Sequence, residues 1–289
     1  MNDVPALFFE GVVSHFTNEV LSLGRDLSGL AGHVASEVYA KRFRHYMWLR
    51  NGRLNRIFLN CADQYVDLET HSRRILDYTL VDILADKEEY RTDPEAMERV
   101  LSATKGKHVH LCLGTSNISE EIAKCVESIR LVCELQVYTK ITSDVLKMMR
   151  SLVKKNTLNI IGVDEGVEIA EETTQLLVDL LKQNQFFRMF LPPKCSAALK
   201  TIIASWRENS SEMTGKMIYC KERFSELQLS SPEFAFEECT EEEERDAKRA
   251  YYIPSLWSEI TTKSVLRNQD GSAVYCFSRP SFKSVFLFA

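Results

Sequence analysis

The chain has 289 residues, of which 45% are hydrophobic and 27% charged, and a formal net charge of -5. A chain of this length buries a sizeable core without disulfides, and its acidic balance gives no global attraction to nucleic acid or to an anionic membrane. The N-terminus has no basic leader and no stretch approaches the ~20 apolar residues of a membrane span, so the expected location is cytoplasmic or nuclear.

Residues 1–50 read as compact helices. Leu7, Phe8, Val12, Val13 and Phe16 recur at helical spacing. After a break near Gly24, a second helix is expected from about Leu27 through Phe43. The basic and aromatic run from Lys41 to Trp48, with Arg50, reads as the exposed end of that helix, its cations near the C-terminus, in preference to a grip on a phosphate backbone. Residues 51–104 form a connecting or first-repeat region. Arg56 to Leu59 and Tyr65 to Leu68 are candidate short strands, and Arg73 to Leu84 fits a helix or a strand. Asp93 followed by Pro94 marks a helix start, aspartate as cap and proline in the first turn.

Residues 105–225 are more regular. Val109, Leu111 and Leu113 alternate as in a strand. Asn117 with Glu120 fits a capping box for a helix carrying Ile122, Val126 and Ile129. The unit recurs: a strand at Leu135 to Tyr138, then a helix capped by Thr142 or Ser143; a strand at Leu158 to Val163, then a helix from about Ile169 to Gln183; a strand at Phe187 to Leu191, then a helix with Leu199, Ile202, Ile203 and Trp206; and a fifth strand at Met217 to Tyr219. The period of roughly 24–30 residues lies in the leucine-rich-repeat range, without the L-x-x-L-x-L-x-x-N string. The predicted fold class is therefore α/β, a degenerate leucine-rich-repeat-like strand–helix solenoid. A doubly wound parallel sheet is the alternative. Polar residues interleaved in the strands (His110, Gln136, Arg188) favour a sheet covered on one side.

Residues 226–289 read as a C-terminal cap. Thr240 and Glu243 fit a capping box. Asn268 to Gly271 is a hairpin turn between Ile260–Val265 and Ala273–Phe277. Phe282 to Phe288 fits a last strand or a loose apolar tail.

No nucleotide-phosphate loop, nucleophile elbow or H-E-x-x-H helix is present. The eight cysteines include no C-x-x-C pair, which predicts structural free thiols and neither a zinc site nor a disulfide framework. His108 and His110 share a strand face, but no third ligand follows at a telling spacing, so no metal is expected. Asp164 and Glu165 end the third strand, where α/β enzymes place catalytic groups; in a solenoid they are a solvated loop. No catalytic residue and no cofactor are assigned.

Val4-Pro5 leading through Phe8, Glu10 and Val12 to Phe16, then Leu27 to Val34, resembles a divergent F-box. The chain as a whole is similar to a nematode-expanded family of F-box-like proteins that open V-P-x-x-F-x-E-x-V and carry a degenerate leucine-rich-repeat region. Trp206 to Ser210 and Cys239 to Glu242 also fit that family's pattern, while Phe9 and the glycines at 11, 29 and 32 depart from it. The resemblance implies a non-enzymatic substrate receptor of an SCF-type ubiquitin ligase. Val4, Pro5, Phe8, Val12, Phe16, Leu27 and Leu30 would pack on a Skp-type adaptor, and the repeats would bind a protein substrate of unknown identity. The other readings are a stand-alone interaction scaffold, of antidote or immune type, and an α/β enzyme with its site near Asp164.

Overall fold

The computed structural model describes residues 24–26, 29–50, 53–60, 64–65, 75–84, 93–227, 229, 234–250, 260, 262–278 and 284–289. The expected first helix, Leu27 and the Tyr65 strand beyond residue 65 lie outside the described residues. The protein is a mixed α/β structure with twelve strands in one sheet and eight α-helices among the described residues. No described helix is long and apolar enough to cross a membrane.

Helix α1 (Gly29–Lys41) leads directly into strand β1 (Arg42–Arg50), which turns back as β2 (Arg53–Asn60). The expectation that residues 41–50 end a helix is corrected here. The run is rich in aromatics, which suit a pleated strand, and it alternates with period two: His45, Met47 and Leu49 are buried, while Arg44, Tyr46 and Trp48 are half-buried on the opposite face. Strand β3 (Ile75–Leu84) resolves the ambiguity of the 73–84 segment in favour of a strand, and it pairs parallel with β1.

From β3 the sheet is parallel and in chain order. Strands β4 (Val109–Leu113), β5 (Val132–Val137), β6 (Ile160–Val163), β7 (Arg188–Leu191) and β8 (Met217–Cys220) each pair with the strand before. This stretch lacks the strand-order reversal of a doubly wound sheet. Helices α2 (Pro94–Thr104), α3 (Glu120–Ser128), α4 (Ser143–Lys154), α5 (Glu171–Leu181) and α6 (Ser196–Glu208) alternate with these strands, and each touches the next. Their apolar stripes pack on one side of the sheet: Val100, Ile122, Met149, Leu177 and Ile202 join Val81, Leu111, Leu135, Ile161, Met189 and Ile218 in a continuous core. We call this side the helix face.

The caps were legible with one adjustment. Asp93 accepts from the Glu95 N–H at 3.0 Å, and Thr142 from the Val145 N–H at 3.4 Å. Helix α3 is capped by Ser119, which accepts from Ile122 N–H at 3.3 Å, not by Asn117, whose own N–H donates to Thr115 Oγ1. Either serine or asparagine suits a cap; the Asn117–Thr115 turn leaves Ser119 next to the first helical residue.

A short helix α7 (Ser210–Met213) precedes β8, and β9 (Glu237–Glu238) precedes helix α8 (Glu241–Ala250), which opens with the expected Thr240–Glu243 capping box. Strands β10 (Thr262–Arg267) and β11 (Ala273–Ser278) form the expected hairpin. Strand β12 (Ser284–Phe288) inserts antiparallel between β8 and β11, so the apolar stretch is a strand and not a loose tail. Its Phe286 and Phe288 join the helix-face core, with Phe288 edge-on to Trp206, and its Val285 and Leu287 pack on the opposite side with Met217, Tyr219, Phe277 and Ala247 of α8. Helix α8 therefore covers the second face at this end of the sheet.

The turns after successive helices are linked by side chains from the unit that follows. Lys155 Nζ donates to the carbonyls of Val126, Glu127 and Ile129 at 2.7–3.2 Å. Gln183 Nε2 donates to Val153 O at 2.9 Å. Lys216, only 4% exposed, donates to the carbonyls of Gln183, Asn184 and Phe186 at 2.8, 3.4 and 2.6 Å. Charged donors to buried carbonyls are worth more than neutral ones. Lys216→Met is expected to lower the unfolding free energy by about 3 kcal/mol, and Lys155→Met, at a more exposed site, by about 1 kcal/mol, read from urea denaturation.

A second outcome concerns acid. His45 stacks on Phe58 with ring centroids 4.5 Å apart, and its Nε2 is buried with no hydrogen-bond partner among the described residues. Burial first, then the charges of Lys107 and Arg56, pushes its imidazole down to about 4. A base depressed in the folded state binds fewer protons there than when unfolded. Its stabilising contribution is thus fully present above about pH 6.5 and is lost as pH falls toward 4. His45→Phe should flatten the stability profile between those values by roughly 2 kcal/mol after allowance for solvent screening, measured as urea midpoints across pH.

Candidate functional site

Because side chains alternate along a strand, every residue between those of the helix face points to the second face. The pairing register aligns them into two rows across the parallel strands. One row runs Leu80, His110, Glu134, Ile160, Arg188, Met217; the other runs Asp82, Cys112, Gln136, Gly162, Phe190, Tyr219. Toward β3 and β4 these side chains are half-buried, and no described element covers them.

The rows are held by specific contacts. Tyr78 stacks flat on His110, centroids 4.0 Å apart and planes 3° from parallel. His110 Nδ1 lies 3.1 Å from Glu134 Oε2, and Gln136 Nε2 donates to Glu134 Oε1 at 2.9 Å. With its amide nitrogen so engaged, Gln136 turns Oε1 over Gly162, where an added Cβ would sit 1.9 Å from that oxygen. The missing side chain at Gly162 is what gives Gln136 its place on the face. At the far end Phe190 stacks on Tyr219 at 4.8 Å, and the Arg188 guanidinium lies 5.7 Å from the Tyr219 ring centroid.

A cleft of about 490 Å³ opens over these rows, lined by Tyr78, His110, Glu134, Gln136, Tyr138 and Phe190, with Asp164 and Lys221 at the strand ends. Tyr138 is 53% exposed, a large ring held out at the rim. Lys221 Nζ lies 3.0 Å from Glu165 and 3.8 Å from Asp164, tying the two carboxylates that end β6 to the end of β8.

The electrostatics are those of a partly desolvated acidic surface. Burial raises the Asp82 carboxyl above the usual range, and its Oδ1 has no hydrogen-bond partner among the described residues. Burial, then Asp82 and Glu134, pushes the Cys112 thiol up to about 12, so at neutral pH it is not a thiolate nucleophile. Burial, followed by Cys112 and the surrounding carboxylates, likewise raises the Tyr138 phenol.

Of the residues assigned to adaptor binding, Val4, Pro5, Phe8, Val12, Phe16 and Leu27 lie outside the described residues. Leu30 stands in the first turn of α1, 39% exposed. His108 stands just before β4 and is exposed, while His110, within the strand, is engaged by Tyr78 and Glu134. No group of three potential metal ligands occurs among the described residues, and the seven described cysteines are free thiols. Asp164, singled out for its place at a strand end, does line the cleft. Tyr78, Tyr138 and the Gln136–Gly162 pair were not singled out as a site. Their signal was present in the two-residue alternation, which assigns each to the second face once the register of neighbouring strands is known. No family model, curated protein or solved structure matches the chain.

The Gln136–Gly162 contact can be measured by a double-mutant cycle. Gly162→Ala should destabilise the wild-type chain but stabilise the Gln136→Ala variant, where only the gain over glycine in a strand remains. A coupling of about 1 kcal/mol is expected; additive free energies would mean that the two residues do not meet.

Proposed function

We propose that the chain is a non-enzymatic protein-binding module that acts as the substrate receptor of an SCF-type ubiquitin ligase. In this reading the β3–β8 stretch with its helices is a degenerate leucine-rich-repeat-like solenoid, its second face takes the substrate, and residues 4–30 dock a Skp-type adaptor. The observation that carries the binding role is the pair of registered rows, whose aromatic, charged and amide side chains from β3 to β5 lie half-buried on the second face. Rings such as Tyr138 and Phe190 offer large contact area at low conformational cost, and aromatics are enriched at protein interfaces. The helix face anchors each strand in a close-packed core, so the rows are held ready before a partner arrives. The adaptor role is supported by the resemblance of residues 4–34 to an F-box and by the exposure of Leu30.

Affinity purification with three forms of the full chain tests both halves. The wild type should retain a Skp-type adaptor and a separate substrate. The Pro5→Ala/Phe8→Ala form should lose the adaptor and keep the substrate. Tyr138→Glu, at an exposed position, should lose the substrate by tenfold or more and keep the adaptor. An adaptor never recovered, or recovered undiminished by the double variant, rejects the ligase role; a substrate indifferent to Tyr138→Glu rejects the face.

A further inference from the structure

The chemistry of the cleft restricts what a partner can present to it. Glu134 stands on the second face in the lining, Asp164 lies at the end of β6, and Asp82 lies beside Cys112 in the neighbouring row. The lysine and arginine beside the lining are already engaged: Lys221 with Asp164 and Glu165, and Arg44 with Tyr78 at the β3 edge. Arg188 stands farther along its row, against the rings of Phe187 and Tyr219. No lysine or arginine among the described residues pairs with Glu134, whose side chain is 20% exposed in the lining. A partly desolvated carboxylate of this kind gains most from a cation that arrives with the partner.

The walls specify which cation. Tyr138, half exposed, and Phe190, stacked on Tyr219, supply aromatic walls to the cleft, and the floor offers separate acceptors in Glu134 and in Gln136 Oε1, which the bond from Gln136 Nε2 to Glu134 orients over Gly162. A planar guanidinium stacks on such faces while its fork donates to more than one acceptor; an ammonium is a compact, strongly hydrated point charge that does neither as well. The volume of about 490 Å³ has room for one long side chain with the backbone on either side of it.

Resting on the protein-binding reading above, we propose that the cleft on the second face recognises an arginine side chain carried by an extended segment of the protein partner. The guanidinium lies against Tyr138 and Phe190 and donates to Glu134 and the Gln136 carbonyl oxygen. A partner acidic at this point is disfavoured by the three carboxylates.

The test is selection of a random twelve-residue displayed peptide library on the full chain, keeping binders that lose affinity for Tyr138→Ala. Arginine should be fixed at one position among them. Replacing it with citrulline, which keeps the shape and removes the charge, should weaken the synthetic peptide at least tenfold. Glu134→Gln, shown by circular dichroism to remain folded, should weaken the arginine peptide to the same extent and leave the citrulline peptide unchanged. Tyr138-sensitive binders without a basic residue, or with lysine in place of arginine, would overturn the inference and leave the protein-binding reading standing. If no selected binder depends on Tyr138, both are overturned.

Discussion

The carbonyls of Gln183, Asn184 and Phe186, in the turn leaving α5, all accept from the Lys216 ammonium on the approach to β8, a side chain that is itself buried. The same device recurs where Lys155 donates to the end of α3 and Gln183 to the end of α4. A helix leaves its last carbonyls without partners, and here the unit that follows supplies them. Each strand–helix unit is thus incomplete alone, and the parallel half coheres through bonds between sequence neighbours.

That arrangement fixes the helix face, and the helix face in turn fixes the second. Once Leu111, Leu135 and Met189 are buried under the helices, the residues beside them in the strands have no choice of side. His110, Glu134, Gln136 and Phe190 are aligned by the register of backbone hydrogen bonds, not by any affinity for one another. The contacts among them then refine the surface: Tyr78 settles on His110, and Gln136 occupies the space that Gly162 leaves.

Much of the parallel half was legible because strands such as β4 and β5 are apolar on one side only and helices α2, α3 and α4 carry cap signals. The segment at 42–50 was misread because its arginines resemble the cationic end of a helix, while the decisive feature, alternate burial of Met47 and Leu49, depends on β3, which is far along the chain. Strand β12 was ambiguous for the opposite reason. All five of its residues are buried, its four apolar ones split between the core under the helices and the cluster under α8, and a strand covered on both sides loses the period that marks it. The cleft was legible residue by residue but not as a place, since Tyr78, Gln136 and Phe190 come together only through the register of strands separated by whole helices. Lys155 and Lys216 gave no signal at all: a lysine is expected on the surface, and only the turn it reaches shows otherwise.

The insertion of β12 between β8 and β11 has a consequence for how the molecule reaches this state. Until residues 284–288 arrive, the sheet leaves β8 with an edge whose native partner is missing, and β9, β10 and β11 have only one another to pair with. An open apolar edge is a template for pairing with other chains, and its closure waits on a contact of long sequence separation, which is slow to form. The parallel half pairs strands that neighbour one another in the chain, whereas the antiparallel end is joined to it by the distant contact of β8 with β12. Kinetic vulnerability to aggregation is therefore concentrated at β8.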